Sequence, residues 1–177
     1  MVKKNKVSIK NVKFGKNVKI IEPVNLYGCE IGDNCFIGPF VEIQKNVVIK
    51  QNTRIQSHSF ICEYVKIGKN CHISPYVLID LIYPGMITIG NNVTIGSNTM
   101  VFAHYNPTAN AFLKENGYPR EVKEVTIKDG VVIGPGSIIT AGTIIGKNSI
   151  IGAGSVVSNE IPDYSVAIGN PARVIKK

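Results

Sequence analysis

The sequence has no tryptophan, and only three histidines, three methionines and four cysteines among its 177 residues. No two cysteines form a Cys-x-x-Cys pair, so neither a zinc site nor a dithiol redox motif is signalled. Apolar runs stay well short of the roughly 18 residues that mark a transmembrane helix, so no stable membrane insertion is expected. The segment MVKKNKVSIKNVKFGKNVK lacks the apolar stretch of a secretory signal. The expected compartment is therefore cytoplasmic, with Cys29, Cys35, Cys62 and Cys71 as reduced thiols. Charged residues make up 18%, while 44% are hydrophobic. That balance excludes a disordered chain and a coiled coil, and the length fits one domain over residues 1–177.

The net charge of +8 is unevenly placed. Seven lysines fall within the first 19 residues, leaving 13 basic and 12 acidic residues from Ile20 onward. A solvated face is the plain reading, and attraction of phosphate-bearing substrates is the alternative. Aromatics do not interleave with these lysines as in a base-stacking platform, so no nucleic-acid partner is expected.

What is abundant is isoleucine at a period of six. Ile31, Ile37, Ile43, Ile49, Ile55, Ile61, Ile67, Ile73 and Ile79 follow one another at that spacing, which resumes at Ile89, Ile95 and Val101 and again at Ile127, Ile133, Ile139, Ile145, Ile151 and Val157. Two residues before each stands a small or β-branched residue such as Cys35, Val41, Thr53, Ser59 or Ser137. Residues two apart in an extended strand share a side, so each hexad sends one small and one aliphatic side chain inward. Gly often follows the aliphatic residue (Gly32, Gly38, Gly68, Gly96), which suggests a corner needing unusual backbone angles. A period of six excludes a helix. It predicts coils of about 18 residues with three short faces, stacked as parallel strands.

The repeat breaks in three places. Residues 1–30 carry the pattern out of phase by one (Phe14, Ile20, Leu26), as imperfect first coils. Four extra residues separate Ile79 from Ile89. About 20 extra residues separate Val101 from Ile127, which predicts a projecting loop over 102–126. Residues 158–177 are expected to leave the coil and cap its last turn, protecting the exposed edge.

This pattern resembles the hexapeptide-repeat acyltransferases, and the resemblance implies an all-β fold, a left-handed parallel β-helix. Two stretches add detail. Residues 25–72, with YGCEIGDN, FVEIQ and SHSFICE, resemble the N-acetyltransferases of nucleotide-linked 3-amino sugars. Residues 89–176, including GAGSVVSNEIPDYSVAIGNPARVIKK, resemble the maltose- and galactoside-type O-acetyltransferases. At Pro75 the chain departs from both patterns, which carry His or Asn there. The γ-class carbonic anhydrases share the fold, but their close histidine spacing is not matched by His58, His72 and His104, so no metal is expected.

The resemblance implies acetyl-CoA as co-substrate, with Gly134, Ala141, Gly152, Ala153, Ser158, Arg173 and Lys176 at its binding groove. It implies His104, at the base of the loop, as general base. Ionising an alcohol at neutral pH needs such a base, and a neutral imidazole can take the proton as a thioester is attacked. Asp80, Tyr105, Asn106 and His58 are the candidate substrate contacts, and Cys62 reads as packing rather than nucleophile. A homotrimer with active sites between subunits is implied too, with a sugar or nucleotide sugar as acceptor. The leading expectation is acetyl transfer to the amino group of a nucleotide-linked amino sugar in surface glycan synthesis. A sugar O-acetyltransferase and a β-helix without turnover are the rival readings.

Overall fold

The computed structural model describes residues 8–80, 83, 85–106 and 109–177. Lys3, Lys4 and Lys6 of the basic segment lie outside the described residues. Among those described, short strands stack into three sheets of eight, seven and nine strands, parallel except for the final strand of the nine-stranded sheet, plus a two-stranded ribbon. The chain visits the three sheets in turn. Strands Glu42–Ile43, Val48–Ile49 and Arg54–Ile55 thus make three sides of one coil, and Phe60–Ile61 begins the next above Glu42–Ile43. This is the coil of about 18 residues expected from the repeat, the left-handed parallel β-helix that the family resemblance implies.

The register keeps the aliphatic ladders intact. Ile43, Ile61, Ile79, Val101, Ile139 and Val157 stand over one another on the first face. Every in-phase aliphatic residue from Ile31 to Val157 is buried, and so are the small residues two before them. Where the small slot is polar, its hydroxyl bonds a backbone carbonyl, in most cases one of a neighbouring coil. Thr53 Oγ1 donates to Gly68 O at 2.9 Å and Ser149 Oγ to Pro162 O at 2.8 Å. Among the described residues no buried side-chain nitrogen or oxygen is left without a partner. That satisfaction lets hydroxyls replace methyl groups inside without the cost of a stranded donor.

The corners differ from the expectation in one respect. With the exception of Asp80 after Ile79, the residue after the in-phase aliphatic does not adopt the left-handed conformation. The third residue after it does: Asn34, Asn46, Asn52, Asn70 and Asn148 have φ between 53° and 60°. Asn tolerates this region because its short amide can bond locally. Along one corner the amides form a ladder, Asn34 to Asn52 to Asn70 to Asn92, with Nδ2–Oδ1 distances of 3.0–3.3 Å. The glycines after Ile serve close approach instead. A Cβ on Gly134 would stand 2.5 Å from the Ala153 nitrogen of the next coil, and one on Gly32 would stand 2.7 Å from Gln51 N.

The two ends depart from the regular coil. The first coils are imperfect in being one residue short: Ile9 pairs with Leu26, and Leu26 with Ile43, each 17 positions apart. The coil also does not end at Val157. Ile161 bridges to Ile145, and Val166–Ala167 pairs in parallel with Ile150–Ile151. Only Ala172–Lys176 turns back, antiparallel on Val166–Gly169, and it closes the edge of one sheet.

Candidate active site

The four-residue insertion and the long loop leave the coil at the same corner in adjacent turns, because Ile79 and Val101 are direct neighbours in register. Asp80 opens the first departure. Its φ is 42°, so the chain turns outward one residue after Ile79, while its carboxylate is fully buried. His104 lies on the second departure, where His104–Tyr105 pairs antiparallel with Glu121–Val122 and ties together the two ends of the loop.

The structure joins these two residues. His104 Nδ1 lies 3.1 Å from Asp80 Oδ1 and 3.2 Å from Oδ2. The Ala103 N–H donates to Asp80 Oδ2 at 3.0 Å and the Tyr83 N–H to Oδ1 at 3.3 Å. A carboxylate held by backbone donors cannot rotate away from the ring. With Nδ1–H assigned as donor to Asp80, Nε2 is the basic nitrogen. Tyr83 packs its ring edge-on against the His104 imidazole at 4.7 Å, and Phe102 approaches it at 6.1 Å. The His104 side chain retains 13% exposure.

Asp80, expected among the substrate contacts, is fully buried and engaged with His104 Nδ1. Tyr105 is half exposed beside His104, and Asn106 Nδ2 reaches the Tyr83 hydroxyl at 3.4 Å. His58 stands apart. It occupies the corresponding slot of its hexad on a different corner, stacked between Phe40 at 4.8 Å and Tyr76 at 4.7 Å. His72 faces outward from the third face, so the three histidines do not converge. Among the described residues no group of three His, Cys, Asp or Glu could hold a metal ion.

The expected coenzyme residues divide between two corners. Ala141 and Ser158 follow Ile139 and Val157, directly along the edge that carries His104. Gly134, Gly152 and Ala153 lie together at the corner after the third face, with Arg173 and Lys176 exposed on the returning strand. The four cysteines are free and buried, and burial pushes their thiols up, that of Cys29 to about 11. A thiol so raised is a poor nucleophile at neutral pH, which agrees with Cys62 as packing.

Tyr83 and Arg120 were not singled out in the sequence. The available signal was the two insertions, which fall one coil apart and therefore meet.

Residues 28–63 and 124–159 match the family model of the bacterial transferase hexapeptide, six repeats. The chain carries this hexapeptide repeat in both stretches. Relatives and structural neighbours of this repeat protein include acetyltransferases and an N-acyltransferase. YvoF of Bacillus subtilis (strain 168), which carries an acetyltransferase name, is 29% identical over 144 residues, covering 77% of this chain and 78% of that one. Galactoside acetyltransferase in complex with coenzyme A is 33% identical with a TM-score of 0.65, over 75% of this chain and 64% of that one. A variant of AntD, an N-acyltransferase from Bacillus cereus in complex with dTDP and coenzyme A, is 27% identical with a TM-score of 0.59, over 93% and 82%. Bifunctional proteins named GlmU from Thermotoga and Thermosipho species match as well, and the chain spans about a third of their length. Among the described residues no helix is long and apolar enough to cross a membrane.

Proposed function

We propose that this protein is an acetyl-CoA-dependent acetyltransferase whose acceptor is the amino group of a nucleotide-linked amino sugar. The observation that carries this reading is the His104–Asp80 pair, set at the corner edge that continues through Ala141 and Ser158. Small side chains along that edge let an extended pantetheine arm approach the backbone and end near the imidazole. Arg173 and Lys176 are suited to phosphate, the first as a bidentate fork and the second as a point charge.

In this reading the acceptor nitrogen forms a bond to the acetyl carbonyl carbon. His104 Nε2 takes the proton that the nitrogen sheds, and the thiolate leaves and is protonated as CoA. Asp80 stabilises the imidazolium that results and fixes the ring for the transfer. No covalent enzyme intermediate is needed, so both substrates occupy the site together. The AntD relative supports the nucleotide-sugar acceptor, being an N-acyltransferase in complex with dTDP and coenzyme A. The galactoside acetyltransferase likeness favours a second reading, transfer to a hexoside hydroxyl. His104 can serve either.

A homotrimer in the cytoplasm completes the proposal. On the first face, beside the His104 edge, the outward slots of consecutive coils are Phe60, Leu78, Met100, Ile138 and Val156. Outward apolar residues in unbroken succession suit burial against a second copy. The test is thiol release from acetyl-CoA with nucleotide-linked 3- and 4-amino sugars and with free hexosides, for wild type and His104→Ala. Release with an amino sugar that the substitution abolishes supports the reading. Release that survives the substitution removes His104 as base, and release with hexosides alone selects the second reading.

A further inference from the structure

The meeting of the two insertions leaves a cation beside the base. Asn106 and Arg120 flank the end of the ribbon formed by residues 104–105 and 121–122. Both reach the same atom: Asn106 Nδ2 and Arg120 Nη1 each donate to the Tyr83 hydroxyl oxygen at 3.4 Å. The Arg120 guanidinium also lies over the Tyr83 ring, 5.2 Å from its centroid. The same ring packs against His104, so Arg120 is held one side chain away from the imidazole.

Bonds of 3.4 Å are long for N–H···O, and a neutral phenol is a modest acceptor. A guanidinium carries five donors in a fixed fork. Among the described residues the ion pairs are made by other cations, and the adjacent Glu121 is taken by Lys123 at 2.9 Å. An oxyanion would be a far better acceptor than the phenol, and the fork geometry fits it bidentately.

We propose that Arg120, with Asn106 and the Tyr83 hydroxyl, binds an oxyanion of the acceptor and so selects acidic acceptors for the His104 site. The group is either the phosphate of a nucleotide-linked sugar or the carboxylate of an acidic sugar. The direction of approach separates it from the coenzyme. Tyr83 hangs from the coil on the N-terminal side of His104, whereas Ala141 and Ser158 lie on the C-terminal side. This inference rests on the acetyltransferase reading, because it gives the anion a reacting partner.

The experiment compares wild type, Arg120→Gln and Arg120→Lys as full-length chains, by calorimetry at low salt with coenzyme A saturating. The probes are dTDP, glucuronate and methyl galactoside. At least one anion is expected to bind wild type about tenfold or more tightly than Arg120→Gln. Arg120→Lys is expected to fall between, and methyl galactoside to bind all three alike. Preference for dTDP identifies phosphate, and preference for glucuronate identifies carboxylate. Equal anion binding by wild type and Arg120→Gln, or no anion binding by wild type, overturns the inference. In turnover, Arg120→Gln should raise KM for the anionic acceptor and leave kcat within about twofold, and a loss confined to kcat would also overturn it. If thiol release never occurs, or survives His104→Ala, the acetyltransferase reading is what fails, while the binding comparison still decides the role of Arg120.

Discussion

The Asp80 carboxylate and the His104 imidazole lie 3.1 Å apart although 24 residues separate them in sequence. Asp80 is fully buried and also accepts the Ala103 and Tyr83 amide protons. Replacing it by Asn keeps the shape but offers an amide where the ring needs an anion. For Asp80→Asn, kcat should fall on the order of 10²-fold, with KM for acetyl-CoA nearly unchanged. The double variant with His104→Ala should be no slower than His104→Ala alone, since Asp80 acts through that ring. Steady-state rates on the three proteins check this, and additive losses would separate the two residues.

Gly134 and Gly136 make opposite demands two residues apart. A Cβ on Gly134 would meet Ala153 N at 2.5 Å, whereas one on Gly136 meets nothing within 4 Å but sits at φ 69°. Gly134→Ala should therefore destabilise by about 1–3 kcal/mol through forced separation of coils. Gly136→Asn should stay within about 0.5 kcal/mol, because Asn fills the same corner slot in other coils. Urea titration of both variants measures the difference.

The phenol of Tyr27 is pushed up to about 12, first by burial and then by the charge of Glu42, whose carboxylate its hydroxyl bonds at 3.2 Å. The fold therefore favours the neutral phenol. Its contribution is fully present below pH 10 and is lost as pH rises from 10 through 12. Cys29, raised to about 11, weakens the fold over a similar alkaline range, so the informative quantity is the difference between proteins. Melting temperatures of wild type and Tyr27→Phe should converge between pH 10 and 12, with the variant lower at neutral pH for want of the Glu42 bond. Curves that stay parallel across that range would contradict this account.

Much of the fold is legible because a single rule places each residue. Any sixth-residue aliphatic from Ile31 onward ends up buried, and the register Ile61 to Ile79 to Val101 follows from counting. The same rule misassigned glycine. Gly96 looks like a turn residue in sequence, but its role is set by the backbone of Pro135, 39 positions away and one coil above. The end of the coil was misread for a similar reason: Ile161 and Ala167 fill interior positions out of strict period. At the site, His104 is visible as a histidine at a loop base. Its partner is not, since Asp80 meets it only after two insertions of different length are placed on one corner.

The long loop interrupts the sequence without interrupting the stack. Ile89 pairs with Ile127, and Val101 with Ile139, as though the intervening residues were absent. Closing such a loop costs only about 0.6 kcal/mol for each doubling of its length. The segment between Tyr105 and Glu121 can thus be lengthened, shortened or rewritten while the ribbon that holds His104 and the coils beneath stay in place. With the acceptor read by loop residues as proposed, acceptor choice and fold stability are separable traits, and descent can change one while holding the other.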